Sequence, residues 1–387
     1  MRKIRTGIIG GGFIGGVHAE ALRRLGYVEV VAIAEASQEL SEQKAKELSI
    51  PQAYSDYRKL LSNPEIEVVH VLTPNQFHFS MSKSIIEEGK HVVCEKPLAM
   101  NSKESAQLVK LASEKGVVNC LCHNMRYYPL VKQAREMVRK GELGDIRLIH
   151  GQYLQDWLFF DTDYNWRVLA DEGGISRAVA DIGTHWFDMV QHITEQKVCS
   201  VFADLTTFIK TRKKPKKEVA TYTIQELKPR DYDEVQIDTE DHGTVLLKFS
   251  EGAKGVLLAC QVCAGRKNYV HFEINGSKRS IEWSGERPNL MWIGERGKVN
   301  AEFIKNPAIM DLEAAKYAGT VSGLAEGYLD TFKNIFSDVY ELILNGKRMD
   351  MERANFPTFL TGHEELLIVD AVMESSRKGK WVDINYG

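Results

Sequence analysis

The first third of the chain alternates short apolar runs with amphipathic segments. Five apolar runs predict β-strands, at residues 4–9, 29–34, 67–72, 91–94 and 117–121. Helices are predicted to begin in the segments between them, near Ile14, Ser37, His78 and Ser102. Strict alternation of strand and helix predicts an α/β domain whose doubly wound parallel sheet is covered on both faces.

The pattern changes after residue 145, where the apolar runs become longer and often alternate with polar residues. Strands are predicted here at residues 146–157, 199–209, 243–249, 255–262, 269–274 and 280–283. Helices are predicted near residues 181–193, 323–344 and 357–377. This half therefore predicts an α+β domain with a large, open, mainly antiparallel sheet. Helices would cover one face and leave the other for a partner subunit, and we place the two domains at residues 1–123 and 124–387.

Composition and charge favour a small-molecule partner. The chain has 387 residues, enough for two domains, and 43% of them are hydrophobic. Its 53 acidic and 50 basic residues give a net charge of -3, which favours neither nucleic acid nor an anionic membrane. The N-terminus leads directly into the first strand, and no apolar run reaches membrane-spanning length. We therefore expect a cytoplasmic protein.

Two local patterns could suggest other chemistry. Cys260 and Cys263 have CxxC spacing, but without a second ligand pair they predict reduced thiols in a strand, and we expect no metal site. The basic run at residues 210–217 lies in a polar stretch with a proline. We interpret it as a solvated insertion loop, since it lacks the interleaved aromatic residues typical of nucleic-acid binding.

A glycine pattern follows the first predicted strand. Gly10, Gly12 and Gly15, with Phe13 and Ile14 between the last two, have the spacing of a dinucleotide-binding turn that opens a helix. The three glycines permit a tight turn, the approach of a pyrophosphate, and close helix packing, in that order. The helix N-terminus then offers free N–H groups to the anion. We predict a Rossmann domain that binds a dinucleotide.

Glu35 ends the second predicted strand, 20 residues after Gly15. A carboxylate at this position can accept hydrogen bonds from both hydroxyls of the adenosine ribose. It would also repel a 2′-phosphate, and no arginine follows it. The sequence therefore favours NAD over NADP, although Ser37 could bind a phosphate if Glu35 turned away.

Further candidate cofactor-binding residues lie at the carboxyl ends of the next two predicted strands. Ligands of doubly wound sheets bind beyond the carboxyl ends of the strands. We therefore expect the cofactor to be contacted at two strand ends by Thr73, Asn75, His78, Glu95 and Lys96.

Asp181 and His185 lie four residues apart and would share one face of a helix. Oxidation of a carbinol needs a base for the hydroxyl proton and a group that stabilises the developing oxyanion while hydride leaves for the nicotinamide. We assign the base to His185 and the stabilising cation to Lys96. Asp181 would orient the base or bind a second hydroxyl. An ordinary helical histidine is the alternative for His185.

The chain resembles the Gfo/Idh/MocA family of sugar and cyclitol oxidoreductases. The motifs that carry the resemblance occur in family order along nearly the whole chain: Gly10-x-Gly12-x-x-Gly15, Thr73-Pro74-Asn75-x-x-His78, Glu95-Lys96-Pro97, Arg126-Tyr127-Tyr128-Pro129 and Asp181-x-Gly183-x-His185-x-x-Asp188. The resemblance implies a Rossmann domain, a C-terminal sheet used in homo-oligomers (dimers or tetramers), and a catalytic set of Lys96, Asp181 and His185. It also implies a cis peptide bond before Pro97.

Within the family, three stretches resemble the branch of levoglucosan and other pyranoside dehydrogenases: residues 155–157, 165–167 and 261–268. That resemblance implies a carbohydrate substrate bound by Tyr128, Gln155 and Trp157, to which we add Arg167. Cysteines stand at positions 260 and 263, where the branch usually has serine, so the exact sugar does not follow. The expected reaction is oxidation of a ring secondary alcohol, perhaps at C3. The alternatives are glycoside cleavage through transient C3 oxidation, an inositol-type dehydrogenase, and an NAD-sensing regulator.

Overall fold

The computed structural model describes residues 2–216 and 231–387. The chain forms two compact units. The first unit comprises the residues up to Tyr127 together with Tyr328–Leu366, and the second comprises Tyr128–Gly327 and Leu367–Gly387.

The strands within the described residues are, in chain order, β1 (Ile4–Ile9), β2 (Val28–Ala34), β3 (Gln52–Tyr54), β4 (Val68–Val71), β5 (His91–Cys94), β6 (Asn119–Leu121), β7 (Ile146–Leu154), β8 (Val198–Thr206), β9 (Thr211–Pro215), β10 (Tyr232–Gln236), β11 (His242–Phe249), β12 (Lys254–Cys260), β13 (Tyr269–Gly276), β14 (Arg279–Ser284), β15 (Leu290–Glu295), β16 (Ala301–Ile304) and β17 (Val382–Asp383).

The α-helices are α1 (Phe13–Arg24), α2 (Gln38–Glu47), α3 (Tyr57–Leu61), α4 (His78–Glu87), α5 (Ser102–Lys115), α6 (Pro129–Arg139), α7 (Ala170–Gly173), α8 (Thr184–Thr194), α9 (Leu312–Ala315), α10 (Tyr328–Leu344) and α11 (Phe359–Lys378). Side-chain caps fix two predicted starts. Ser37 accepts from the Leu40 N–H at the start of α2, and Asn101 accepts from the Glu104 N–H at the start of α5.

The first unit contains a six-stranded sheet in the order β3-β2-β1-β4-β5-β6, and every neighbouring pair is parallel. This is the predicted doubly wound α/β sheet, which is confirmed. The short β3 was not predicted, because its three residues are only half-buried and carry no apolar run. The direction in which successive strands are added to the sheet changes between β1 and β4. Ligands of such sheets bind at this switch point, beyond the carboxyl ends of the strands.

Tyr328–Leu366 belongs to the first unit. The predicted division is instead at a single point, between residues 123 and 124. The reason is packing. α10 buries Phe332 and Phe336 and packs against α1, and Phe359 of α11 joins the core formed by Val71 and Leu121. These contacts link residues more than 200 positions apart and leave no local signal in the sequence.

The second unit contains a nine-stranded sheet in the order β16-β15-β14-β13-β7-β12-β11-β8-β17. Only β7 and β12 are parallel neighbours, and the other pairs are antiparallel. The prediction of a large, mainly antiparallel sheet is therefore confirmed. Helix α8 packs on β7 and β13, and its Trp186 indole is fully buried and donates to the His271 carbonyl oxygen.

The prediction of a solvated loop at residues 210–217 is wrong for the part that the structure describes. β9 and β10 form a two-stranded antiparallel sheet, and Arg212 of β9 is fully buried. A basic residue is buried here because Asp241 and backbone carbonyl groups compensate its charge. Lys217 lies outside the described residues. Among the described helices, none combines the length and the apolar character that crossing a membrane requires.

Candidate active site

The glycine turn between β1 and α1 has three distinct environments. Gly10 has φ +100, and a Cβ there would lie 2.8 Å from the Leu72 carbonyl oxygen. A Cβ on Gly15 would lie 2.5 Å from the Gly10 carbonyl oxygen, so this position needs glycine for helix packing. A Cβ on Gly12 would meet nothing within 4 Å. The open side at Gly12 leaves room for a pyrophosphate beside the N-terminus of α1.

The next two residues of the turn begin α1. Phe13 is 62% exposed, whereas Ile14 is half-buried. Gly12 stands at the N-cap of α1 and has no side chain to bond the first N–H groups of the helix. The positive end of a helix dipole at this N-terminus favours an anionic ligand.

Glu35 follows β2 and points back to the glycine turn. Its Oε1 accepts a hydrogen bond from the Gly11 N–H. Burial raises the pKa of this carboxyl, while the Gly11 bond and the Lys44 charge oppose the rise. A carboxylate beside the turn matches the position that a ribose diol of a dinucleotide requires. The residues of this end therefore fit NAD.

Two loops leave the carboxyl ends of β4 and β5, and His78 joins them. Its ring is buried, with Nδ1 2.7 Å from the Pro97 carbonyl oxygen and Nε2 2.9 Å from the Thr73 carbonyl oxygen. Asn75, in the short turn before α4, is also buried. His78 therefore positions the backbone of both loops, and its imidazole is buried.

Glu95 and Lys96 begin the second of these loops. The Lys96–Pro97 peptide bond is cis, as expected. The Glu95 N–H donates to the Val71 carbonyl oxygen at 2.9 Å, which continues the sheet past β5. The Glu95 Oε2 accepts from the Lys96 N–H at 3.3 Å. The carboxylate thus contacts the backbone of the proposed catalytic lysine.

A buried chain of hydrogen bonds runs from Glu95 into the interior of the first unit. His18 Nε2 lies 3.1 Å from Glu95 Oε1, and His18 Nδ1 lies 2.8 Å from His70 Nδ1. His70 Nε2 then lies 2.9 Å from the Tyr340 hydroxyl, which is 2.8 Å from Thr6 Oγ1. An ionised carboxylate only accepts hydrogen bonds, so His18 donates to Glu95.

Electrostatics agree with an ionised Glu95. Burial alone would raise the pKa of Glu95, but the His18 hydrogen bond and the nearby Lys96 charge turn the shift downward. Burial also holds the pKa of His70 well below its usual value, and His18 adds to that shift. Glu95 is therefore held as a carboxylate and His70 as a neutral ring.

The same cluster offers possible metal ligands. His18, Glu95 and the Cys122 thiol place ligand atoms within 4.8 Å of one another. Burial raises the pKa of Cys122 well above its usual value. The His18–Glu95 separation of 3.1 Å is that of a hydrogen bond. Hydrogen bonding accounts for the cluster without an ion.

In the second unit, a π-helical turn at Val179–Gly183 precedes α8 and carries Asp181. Glu240 caps its start, accepting from the Ser176 hydroxyl at 2.8 Å and from the N–H groups of Arg177 and Val179. Burial raises the pKa of Glu240, and these hydrogen bonds oppose the rise. A π-turn places an extra residue in the helix and is often found at functional sites. Asp181 and His185 therefore lie in one helical segment, but with altered spacing around its axis.

Asp181 is held from two sides. Its Oδ2 accepts from Gln261 Nε2 at 2.7 Å, and its Oδ1 lies 3.4 Å from Arg167 Nε. Arg167 also stacks on the Trp166 ring at 4.2 Å. His185 is nearly buried, with its ring centroid 6.2 Å from that of Tyr153. Asp181 and Arg167 were predicted, and the structure brings them together.

Sequence reasoning missed Gln261. It is fully buried after β12, and its Oε1 is an unpartnered buried oxygen among the described residues. The available signal was a lone amide between apolar residues in Cys260-Gln261-Val262, a stretch that we interpreted as an ordinary strand.

Gln155 and Trp157 are also brought together. The Trp157 indole donates to Gln155 Oε1 at 2.9 Å, and Gln155 Nε2 donates to Asn268 Oδ1 at 3.1 Å. The Tyr153 hydroxyl donates to the same Asn268 oxygen at 2.6 Å. Tyr128, in contrast, is only 3% exposed and packs on Trp283. A sugar contact at Tyr128 stays a prediction.

Comparison with known proteins identifies the two halves. Residues 4–123 match the oxidoreductase family with an NAD-binding Rossmann fold, and residues 131–282 match the GFO/IDH/MocA C-terminal domain. The chain is 30% identical to levoglucosan dehydrogenase of Pseudarthrobacter phenanthrenivorans, covering 99% of both chains.

Solved structures agree. Levoglucosan dehydrogenase in complex with NADH and levoglucosan matches with a TM-score of 0.88 at 28% identity, over 99% of this chain and 100% of that one. An inositol dehydrogenase homologue from Azotobacter vinelandii, complexed with NAD+, matches with a TM-score of 0.86 at 25% identity, over 99% and 97% of the two chains. With both family domains matched in order along a fold built as described, the chain belongs to the Gfo/Idh/MocA family of NAD-binding oxidoreductases.

Proposed function

We propose that the protein is an NAD-dependent dehydrogenase that oxidises a ring secondary alcohol, at C3, of a pyranose, anhydrosugar or glycoside. The observation that carries the proposal is the setting of Asp181, which is held by Gln261 and Arg167 in the same helical segment as His185. A fixed carboxylate can accept a sugar hydroxyl or orient an imidazole, and the amide and indole of Gln155 and Trp157 suit a pyranose.

We assign the chemistry to the three predicted catalytic residues. When bound, NAD accepts the hydride from the carbinol carbon. We assign removal of the hydroxyl proton to His185, and Lys96 donates a hydrogen bond to the same oxygen to stabilise its developing charge. Asp181 orients His185 or a second hydroxyl.

For the cofactor, we assign the pyrophosphate to the turn at Gly10, Gly12 and Gly15, with Phe13 and Ile14 at its edge. Glu35 binds the adenosine ribose and favours NAD over NADP. Thr73, Asn75, Glu95 and Lys96 line the strand ends near the nicotinamide, and His78 supports their loops. The names of the two levoglucosan dehydrogenase matches and of the inositol dehydrogenase homologue support a carbohydrate or cyclitol substrate.

We also propose that the nine-stranded sheet binds a second copy of the chain. Leu148 of β7 is 40% exposed and Leu246 of β11 is 43% exposed, so this sheet has apolar side chains that a second copy could cover. A dimer or tetramer by light scattering would support this, and a monomer would oppose it.

A substrate panel tests the activity. We expect anhydrosugars, glucosides or inositols to reduce NAD, with NADH absorbance as the readout. Lys96→Ala should abolish turnover, and Lys103→Ala, an exposed lysine on α5, should not. A panel without NADH formation would refute the dehydrogenase. Release of phenol from an aryl glycoside without added NAD would instead identify the glycoside-cleaving reaction.

A further inference from the structure

Arg212 of β9 binds one loop of the second unit through its backbone. Its Nη1 donates to the carbonyl oxygens of Phe160 and Asp163, both at 2.9 Å. Its Nη2 donates to the Leu158 carbonyl oxygen at 2.9 Å and to Asp241 Oδ1 at 3.0 Å. The side chain is fully buried, so water does not replace these partners.

The buried charge of Arg212 needs acceptors, and this conformation of the loop supplies them. Asp241 also pairs with Arg177, so one buried carboxylate serves two buried guanidinium groups. The second Asp241 oxygen accepts from the Ile209 N–H at 2.8 Å. The three loop carbonyl dipoles and the charge of the Asp163 carboxylate, which lies on the same loop, supply further compensation for the guanidinium of Arg212. If the loop moved away, Arg212 would keep a buried charge with too few acceptors.

Neighbouring residues of the two-stranded sheet contact the same loop. The Lys213 N–H donates to the Asp161 carbonyl oxygen at 2.8 Å, and its Nζ pairs with the Asp161 carboxylate at 2.7 Å. Lys214 Nζ lies 5.5 Å from the centre of the Tyr164 ring.

A small apolar core completes the contact. Leu158 and Val168 pack with Ile237, just after β10, and Trp157 and Val235 lie against them. The Thr239 hydroxyl also donates to the Val168 carbonyl oxygen at 3.0 Å. The loop therefore rests on the sheet along most of its length.

Residues 155–169, which we name the substrate loop, carry the proposed sugar-binding residues at both ends. Gln155 and Trp157 begin it, and Arg167, which contacts Asp181, lies near its end. The carbonyl groups that Arg212 binds lie between these two ends. The position of Arg212 thus determines how the chain passes from one set of sugar-binding residues to the other.

We propose that Arg212 is a positioning residue for carbohydrate recognition, which fixes the substrate loop so that Trp157 and Arg167 meet the same sugar. The inference rests on the proposed function, since the sugar contacts belong to it. It assigns a role to the basic strand β9.

The test compares Arg212→Met, Arg212→Lys and Lys216→Ala. Methionine keeps much of the volume and removes the donors, and Arg177 remains as a partner for Asp241. Lysine keeps the charge but not the planar fork of donors. Lys216 follows the same strand, and the ion pair found for it among the described residues is with exposed Asp233 at 3.5 Å, so it is the matched control. Hydrogen exchange of peptides from residues 155–169 is measured together with KM, kcat and NADH affinity.

We expect Arg212→Met to accelerate exchange in the loop and to raise the KM for sugar by about tenfold or more. NADH affinity should stay within about twofold, because its binding residues belong to the first unit. Arg212→Lys should give an intermediate KM, and it carries the test if the methionine variant does not fold. Unchanged loop exchange, or faster exchange with an unchanged KM, would overturn the proposal. A wild-type protein that oxidises no sugar would refute the proposed function, and loop exchange in the variants would still report on Arg212.

Discussion

Replacement of Gln261 by Leu removes a group that holds Asp181. Leucine has a similar volume, so the buried site after β12 stays filled. The lost interaction is a charge-assisted hydrogen bond of 2.7 Å between Nε2 and Asp181 Oδ2. Hydrogen bonds to charged groups contribute about 1.5–3 kcal/mol. If that energy orients Asp181 in the transition state, kcat should fall by about tenfold to a hundredfold.

Stability should change less than activity. The variant leaves one Asp181 oxygen short of a donor, which destabilises the fold by about 1–3 kcal/mol. It also removes the unpartnered buried Oε1 of Gln261, which offsets part of that loss. We therefore expect a modest decrease in the free energy of unfolding, measured by urea titration, together with a large decrease in kcat.

A surface hydrogen bond of the same chemistry gives the control. Gln43 is exposed on α2 and donates to Glu47 at 2.8 Å, so Gln43→Leu removes an equivalent contact far from Asp181 in the sequence. It should leave kcat unchanged. The reasoning would be refuted if Gln261→Leu kept kcat and KM within about twofold of wild type.

Two predictions concern the first unit. Glu35→Ser should weaken NAD binding by about tenfold and reduce the preference for NAD over NADP in a fluorescence titration, because the ribose loses a charged acceptor. Exposed Glu39→Ser should change neither quantity. Burial holds the pKa of His70 well below its ordinary 6.5, so the stability from this ring is present above pH 6.5 and is lost as the pH falls. Urea unfolding between about pH 7 and pH 5.5 should show a decline of up to about 1.4 kcal/mol per pH unit that His70→Asn lacks, and equal slopes would contradict it.

Local patterns were sufficient to predict five of the six strands of the first sheet, and the glycine turn that follows β1. The spacing of Gly10, Gly12 and Gly15 after an apolar run is a local signal, and the structure gives each glycine the environment that its role requires. Thr73 and Glu95 end neighbouring strands, so the strand order alone brings their loops to one edge of the sheet.

Long-range packing was not accessible in the same way. His70 is a single polar residue in Val68–Val71, and its partners His18 and Tyr340 lie 52 and 270 positions away. Such a residue signals a buried polar contact, but one sequence does not identify the partner.

Arg212 shows that local patterns also fail to predict the burial of a charged residue. A run of basic residues with a proline usually indicates a solvated segment, and that interpretation fails for Arg212 because Asp241 and the loop carbonyls are brought to it by the fold. The run is polar, as predicted. The burial of Arg212 within it depends on partners that are distant in the sequence.

Transfer of deuterium tests directly whether hydride moves from C3 of the sugar to the nicotinamide. A pyranoside or anhydrosugar that carries deuterium at C3 is incubated with the protein and NAD, and both products are examined by NMR. The account predicts deuterium on the nicotinamide ring of the reduced cofactor and a ketone at C3, with neither product formed by Lys96→Ala. Reduced cofactor without deuterium, or an intact C3–deuterium bond in the oxidised sugar, would contradict it.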